Sequence, residues 1–199
     1  MKQNKISDYL EKVKTIGMGG HIRPDGDCVG SCMGLYTYLK HQYSDINVDL
    51  YLEPIPDKFK FLKYSDEIKN SYDGDKEYDL FISLDSSDID RLGEFEPYFN
   101  NAKKTLCIDH HISNTGFAMD NIVFPKASSA SEVVYTLLDE DKVDYDVACA
   151  LYLGIIHDSG VFKYSNTSAA TMTIAGKLME KGIPFTNIID NTFYTKTYV

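Results

Sequence analysis

The chain has 199 residues, enough for one domain with a sizeable core, and 43% of them are hydrophobic, as in ordinary globular proteins. Acidic residues outnumber basic ones by 30 to 20, which gives a net charge of −10. This charge argues against long nucleic acid as a partner, because such binding needs a basic face. No apolar run approaches the roughly 20 residues of a transmembrane helix, and the start of the chain lacks the apolar segment of a signal peptide. We therefore expect a cytoplasmic protein with no membrane partner.

Short apolar runs alternate with longer helical patterns along the chain. The predicted strands occupy residues 16–21, 47–52, 80–84 and 105–108. The predicted helices occupy residues 6–14, 27–43, 144–156 and 167–181. A further helix begins at Ser128 or Ser129, with Glu132 placed as the partner in a capping box. Strands that alternate with helices predict an α/β fold, with a mostly parallel sheet covered by helices on both faces.

The four cysteines form no CxxC pair and no plausible disulfide framework. They are Cys28, Cys32, Cys107 and Cys149. Cys28 and Cys32 lie one helical turn apart, where we expect burial rather than metal binding. Reduced cysteines are typical of a cytosolic protein.

Acidic and histidine residues concentrate where the predicted strands end. HIRPDGD follows the first strand, LFISLD ends a second, TLCIDHH ends a third, and GIIHDSGVF closes a predicted helix. The residues concerned are His21, Asp25, Asp27, Asp85, Asp109, His110, His111 and Asp158. Ligands bind at the carboxyl ends of parallel strands, so we expect the three strand-end clusters to converge on one edge of the sheet.

This mixture of carboxylates and imidazoles predicts a metal site. Manganese, iron, cobalt and zinc accept such a set, whereas magnesium prefers oxygen ligands alone. The absence of thiolates from these clusters argues against a structural zinc site. Two ions about 3.5–4 Å apart would need a bridging carboxylate and could hold a hydroxide between them.

Several of these residues also have an ordinary structural interpretation. An aspartate after a strand usually caps a helix, and Asp27 or Asp85 alone would be interpreted in that way. His157 precedes Asp158, but on a helix the two side chains would point in different directions. Residues 17–20 (GMGG) do not match a dinucleotide fingerprint, because Ile22 occupies the third glycine position. The Asp-His-His triplet before a turn, however, has little structural purpose.

Four motifs resemble those of the DHH phosphoesterase superfamily, in the same order. They are HIRPDGDCVGS, LDSSD, IDHHISN and GIIHDSGVFKYSNTS. The first is most similar to the branch of nano-RNases and pAp phosphatases (bifunctional oligoribonucleases). Family II inorganic pyrophosphatases share its histidine but usually continue with Asn-Pro-Asp and a different acidic pair.

The resemblance implies a site with two divalent ions, for which we expect Mn²⁺. The implied ligands are His21, Asp25, Asp27, Asp85, His110 and Asp158. Asp85 would bridge the two ions, and a hydroxide between them would attack phosphorus in line. The implied catalytic residues are Asp109, which would orient His110, and His111, which would face the substrate phosphate.

The resemblance also implies a domain organisation. Residues 1–183 would form the DHH catalytic domain, and residues 184–199 would begin a helical linker to a second domain called DHHA1. The glycine-rich GGGH segment of that domain does not occur before Val199. We therefore expect either a truncated chain or a solitary DHH domain. Apolar groups in residues 188–199 would suit packing against a missing domain or formation of a homodimer.

Three functional hypotheses remain open. The first is a two-metal phosphoesterase acting on short oligonucleotides, on 3′-phosphoadenosine 5′-phosphate (pAp), or on a dinucleotide such as pApA. The second is an inorganic pyrophosphatase or polyphosphatase, which would need clustered basic residues, and here Arg23 and Lys163 are the candidates. The third is a non-catalytic nucleotide-binding module, which loss of a metal ligand would mark. All six implied ligands are present.

Overall fold

The computed structural model describes residues 5–74 and 76–194 and contains one parallel sheet with strand order β2-β1-β3-β4-β5. The strands are β1 (Thr15–Gly19), β2 (Asn47–Tyr51), β3 (Leu80–Leu84), β4 (Thr105–Asp109) and β5 (Asp120–Val123). Strand alternates with helix along most of the chain, so the predicted α/β fold with a parallel sheet is confirmed. Within the described residues, no helix has the length and apolar character needed to span a bilayer.

Six α-helices complete the described fold. They are α1 (Gly26–Gln42), α2 (Glu96–Asn100), α3 (Ala130–Leu137), α4 (Tyr145–Asp158), α5 (Ala169–Met179) and α6 (Phe185–Ile188). The last of these continues into a π-helical turn, Ile189–Phe193. Ser129 caps α3 through its side chain, as predicted, but the Glu132 carboxylate accepts from Ser128 and Thr171 and forms no capping box.

Each face of the sheet has its own core. On one face α1 and α4 pack so closely that a Cβ added at Gly30 would lie 2.6 Å from the backbone nitrogen of Gly154. On the other face α2 lies over a cluster of buried aromatic rings that includes Tyr51, Phe81 and Tyr98. Helices therefore cover both faces, as predicted, although the second face is covered by a much shorter helix.

The sheet register aligns the strand ends that carry the predicted site. Gly19 pairs with Ser83 and Leu84 pairs with Ile108. The backbone nitrogen of Asp85 then donates to the carbonyl of Ile108 at 3.1 Å. The residues that follow β1, β3 and β4 are consequently brought to the same edge.

One predicted element was wrong, and one strand was not predicted. The predicted first helix over residues 6–14 is a single 3₁₀ turn, Ile6–Tyr9. A helix cannot continue to residue 14, because the backbone of Lys12 is left-handed, with a φ of 63°. The edge strand β5 was not foreseen, since its sequence DNIV is half polar and mostly exposed. An edge strand buries little of its surface and so lacks a clear apolar pattern.

Candidate metal centre

The carboxyl edge of the sheet gathers the predicted metal ligands. The potential ligand atoms form three groups, and the atoms within each group lie within 4.8 Å of one another. They are His21 with Cys28 and Asp85, Asp85 with His110 and His111, and Asp27 with His110 and Asp158. Asp25 lies beside the first group, with its Oδ1 3.7 Å from Nε2 of His21. All six predicted ligands are thus in one continuous cluster.

Asp85 joins the two halves of this cluster. Its carboxylate is only 3% exposed, with Oδ2 3.5 Å from Nε2 of His21 and Oδ1 3.6 Å from Nε2 of His110. The buried Oδ1 atom has no hydrogen-bond partner among the described residues. The backbone of Asp85 also has a positive φ of 52°, a left-handed conformation that is uncommon for residues other than glycine. A buried acceptor left without a donor is unfavourable unless a ligand satisfies it.

The first half of the cluster is held by local structure. Nδ1 of His21 lies 2.8 Å from the carbonyl oxygen of Ile22, and donation to this acceptor leaves Nε2 directed at the carboxylates. Asp25 caps α1, and its Oδ1 accepts from the backbone nitrogens of Asp27 and Cys28. The Asp25 carboxylate is therefore both a helix cap and a neighbour of His21.

The second half depends on a helix from a distant part of the chain. Asp27 is fully buried, and its two oxygens accept from the backbone nitrogens of Ala130 at 2.6 Å and Ser131 at 3.0 Å. These N–H groups belong to the first turn of α3, which favours a negative charge. Nε2 of His110 lies 3.1 Å from Asp158 Oδ2 and 3.9 Å from Asp27 Oδ2.

The contacts of Asp109 differ from our expectation. Its carboxylate lies 2.7 Å from Nδ1 of His111 and also accepts from the side-chain amide of Asn114. We had expected this carboxylate to orient the ring of His110, but its side-chain partners among the described residues are His111 and Asn114. The two imidazoles nevertheless lie side by side, with ring centroids 4.6 Å apart, and both are near Oδ1 of Asp85.

Charge is strongly concentrated at this edge. Burial lowers the pKa of His21, but contacts with Asp25 and Asp85 outweigh burial and raise that pKa to about 11. Burial raises the pKa of Asp27 and of Asp85 above the ordinary value, and nearby carboxylates add to the effect. Among the six predicted ligands four carboxylates lie beside two imidazoles, and a divalent cation would stabilise the ionised form of these crowded acids.

Cys28 is a member of the cluster that sequence reasoning assigned only to the core. It is buried, as predicted, yet its Sγ lies among the ligand atoms of His21 and Asp85. The expectation that thiols are absent from this edge was therefore wrong. Its position in the first turn of α1, one residue after Asp27, is the signal that could have revealed it.

His157 lies outside the cluster, in agreement with the helical argument. Its Nε2 is 3.2 Å from Oγ1 of Thr192, and its ring packs edge-on against Phe59. Thr192 and Ile188 are buried, whereas Tyr194 is 51% exposed. The start of the predicted linker, up to residue 194, thus packs against α4, and its last residues, 195–199, lie outside the described part of the chain.

Comparison with known proteins identifies the family. Residues 15–155 match the model of the DHH family, N-terminal domain. This chain belongs to the DHH family. It is 30% identical over 191 residues to the bifunctional oligoribonuclease and PAP phosphatase NrnA of Bacillus subtilis, covering 93% of this chain and 59% of that protein. It is 28% identical over 199 residues to the protein of the same name from Thermus thermophilus, covering 95% of this chain and 57% of that protein. The chain therefore spans less than two thirds of these relatives.

Solved structures support the fold. An exopolyphosphatase-related protein from Bacteroides fragilis superposes with a TM-score of 0.84 at 24% identity, over 96% of this chain and 59% of that one. A putative family II inorganic pyrophosphatase from Methanococcus jannaschii gives a TM-score of 0.62 at 21% identity, over 88% of this chain and 61% of that one. At these identities the similarity establishes the shared architecture alone.

Proposed function

We propose that this DHH-family chain is a phosphoesterase that uses two divalent ions, expected to be Mn²⁺, to hydrolyse short oligonucleotides, pAp, or both. The observation that carries the proposal is the position of Asp85. Its two buried oxygens face different imidazoles, and one of them has no hydrogen-bond partner in the described chain. A bridging ligand between two ions needs this arrangement, since each oxygen serves one ion.

The cluster divides naturally into two sets of ligands around Asp85. His21 and Asp25 would hold one ion, and Asp27, His110 and Asp158 would hold the other. Bound ions would supply an activated hydroxide and neutralise the charge of the phosphate. The backbone N–H groups at the start of α3 orient the Asp27 carboxylate toward this edge.

His111 is placed to act on the substrate. Asp109 faces Nδ1 of His111 and raises the pKa of that ring, which favours the imidazolium form, whose Nε2–H can donate to a phosphate oxygen. The His111 side chain is 41% exposed, whereas that of His110 is 13% exposed. This difference supports a substrate-facing role for His111 and a ligand role for His110.

The choice of substrate is supported by two observations. The names of the Bacillus and Thermus relatives specify oligoribonuclease and PAP phosphatase activity. The net charge of −10 disfavours long polyanions, since the field of the protein repels them away from the cations. A short nucleotide carries few charges, and metal ions can neutralise them.

The proposal is tested by turnover of pAp, pApA, a five-nucleotide RNA and pyrophosphate in the presence of Mn²⁺. We expect nucleotide or phosphate release that EDTA abolishes and that Asp85→Ala lacks. The control is Asp90→Ala, which removes an exposed carboxylate a few residues after β3. Turnover of pyrophosphate alone would contradict the nucleotide assignment, and EDTA-resistant turnover would contradict the metal mechanism.

A second variant separates metal binding from chemistry. His111→Ala should keep the metal content of the parent, because all six proposed ligands remain. Its turnover should fall by about 10²–10⁴, the range for loss of a general acid or base. Metal content measured by plasma mass spectrometry, beside the rate, checks both statements. Activity within a few-fold of the parent would show that the role of His111 is wrongly assigned.

A further inference from the structure

The chain takes a strained course just after Asp158. Three consecutive residues, Gly160, Val161 and Phe162, have φ values of 57°, 53° and 64°. Residues other than glycine rarely adopt this left-handed region, and a β-branched valine there is a clear outlier. Such conformations persist where the surrounding structure enforces them, and they cluster at functional sites. This turn begins two residues after a predicted metal ligand.

Hydrogen bonds tie the turn to the end of α4. The backbone nitrogen of Val161 donates to the carbonyl of Ile156 at 2.7 Å. The side-chain amide of Asn166 donates to the backbone carbonyl of Asp158 at 3.1 Å. The chain therefore leaves the turn and returns to the backbone of Asp158, which holds the intervening residues in a short loop at the end of α4.

The consequence of this course is the position of Tyr164. A Cβ added at Gly160 would lie 2.5 Å from ring carbons of Tyr164, so this close approach of ring and backbone requires glycine. Despite that support, Tyr164 is 57% exposed. The Cα of Gly160 can lie no more than about 7 Å from that of Asp158, since one residue separates them in sequence. An exposed aromatic ring thus packs on a residue whose Cα lies within about 7 Å of that of the predicted ligand Asp158.

We infer that Tyr164 is a stacking surface for the nucleobase of a nucleotide whose phosphate lies at the metal edge. The inference rests on the proposed function, because it requires a phosphate at that edge. Metal ions recognise phosphate, whereas an aromatic ring recognises the base through stacking and tolerates any base. Tyrosine suits this task since it loses little conformational entropy on binding. Tyr164 is then a specificity-determining residue that favours nucleotides over other phosphate esters.

The test compares a ligand with a base to a ligand without one. Binding of AMP and of ribose 5-phosphate to the Mn²⁺-loaded chain is measured by isothermal titration calorimetry. We expect the parent to bind AMP about 5- to 100-fold more tightly than ribose 5-phosphate. Tyr164→Ala should remove this preference while leaving the affinity for ribose 5-phosphate unchanged, and Tyr164→Phe should keep the preference.

A matched control is available at the far end of α4. Tyr145 is 48% exposed and begins α4, about 20 Å from Asp158 at the other end. Tyr145→Ala should leave both affinities unchanged. The inference is overturned if the parent shows no preference for AMP or if Tyr164→Ala keeps that preference. It is also overturned if Tyr164→Ala lowers the affinity for both ligands equally. Because binding is measured without turnover, failure of the proposed phosphoesterase activity would be seen separately.

Discussion

Two aspartates bracket the same buried strand, and they have opposite environments. Asp79 immediately precedes β3, and its carboxylate accepts from the backbone nitrogens of Lys14 and Thr15 and from Nζ of Lys103. Asp85 immediately follows β3, and its Oδ1 is buried without a hydrogen bond to any described residue. These contacts lower the pKa of Asp79, with Lys103 the main cause, whereas burial raises the pKa of Asp85.

The difference separates a structural acid from a functional one. Asp79 is satisfied by the protein itself, so its charge stabilises the junction of β1 and β3. Asp85 is buried at an energetic cost that the neighbouring imidazoles offset only in part, because its Oδ1 has no hydrogen-bond partner among the described residues. Sites that bind ligands retain such unfavourable features because the ligand removes them. Exchange of each acid for its neutral amide separates the two roles.

Asp85→Asn should produce the largest effect. The amide has nearly the same shape and tolerates positive φ, but it is a poor bridging ligand, so we expect loss of metal binding and at least about 10³-fold lower turnover. In EDTA the free energy of unfolding of the variant should be about 1 kcal/mol higher than that of the parent, because a buried charge is gone. Urea denaturation with and without Mn²⁺ measures the free energy of unfolding and its increase on metal binding, and a turnover assay measures the rate. A metal-free variant less stable than the parent would remove the contrast with Asp79.

Gly154→Ala should have an intermediate effect. A Cβ at this position would lie 1.9 Å from Oγ of Ser131 and 2.6 Å from Oδ1 of Asp27. The methyl group should displace the Asp27 carboxylate from the first turn of α3, and we expect about 10- to 100-fold weaker Mn²⁺ binding, the range for lost support of a ligand. The control is Gly176→Ala in α5, where no atom lies within 4 Å. That change should leave metal affinity alone and raise stability by about 0.5–1 kcal/mol. Equal affinities in the two variants would show that the Asp27 position is not critical.

Asp79→Asn should have the smallest effect, and on stability alone. Loss of the charged acceptor should lower the free energy of unfolding by about 1–2 kcal/mol at pH 7, with Mn²⁺ affinity unchanged. Since the folded-state pKa of Asp79 is lowered, its contribution is complete above the unfolded-state pKa of about 4 and disappears as the pH falls further. Urea denaturation at pH 7 and pH 3 should show the difference between parent and variant shrinking at the lower pH. A difference independent of pH would assign the effect to packing.

Much of the fold could be predicted because its signals are local. The buried strand Leu80–Leu84 is a continuous apolar run, and α1 begins within one residue of the position that its apolar spacing indicates. The strand β5 and the helix α2 escaped prediction, since one is a half-polar edge strand and the other has only five residues. The left-handed turn at Val161 has no sequence signal, because valine is among the residues least suited to it.

The candidate site divides in the same way. The sequence alone determined which residues could supply the chemistry, because His21, Asp85 and the triplet beginning at Asp109 are covalently attached to the ends of apolar strands, and parallel strands end at a common edge. The tertiary structure decided how these groups are held. The bond from Ala130 to Asp27 joins residues 103 positions apart, and the pairing of Asp109 with His111 rather than His110 depends on the direction of side chains at the end of β4. Contacts of this kind arise only when the chain is packed, because no local pattern encodes a partner that is distant in sequence.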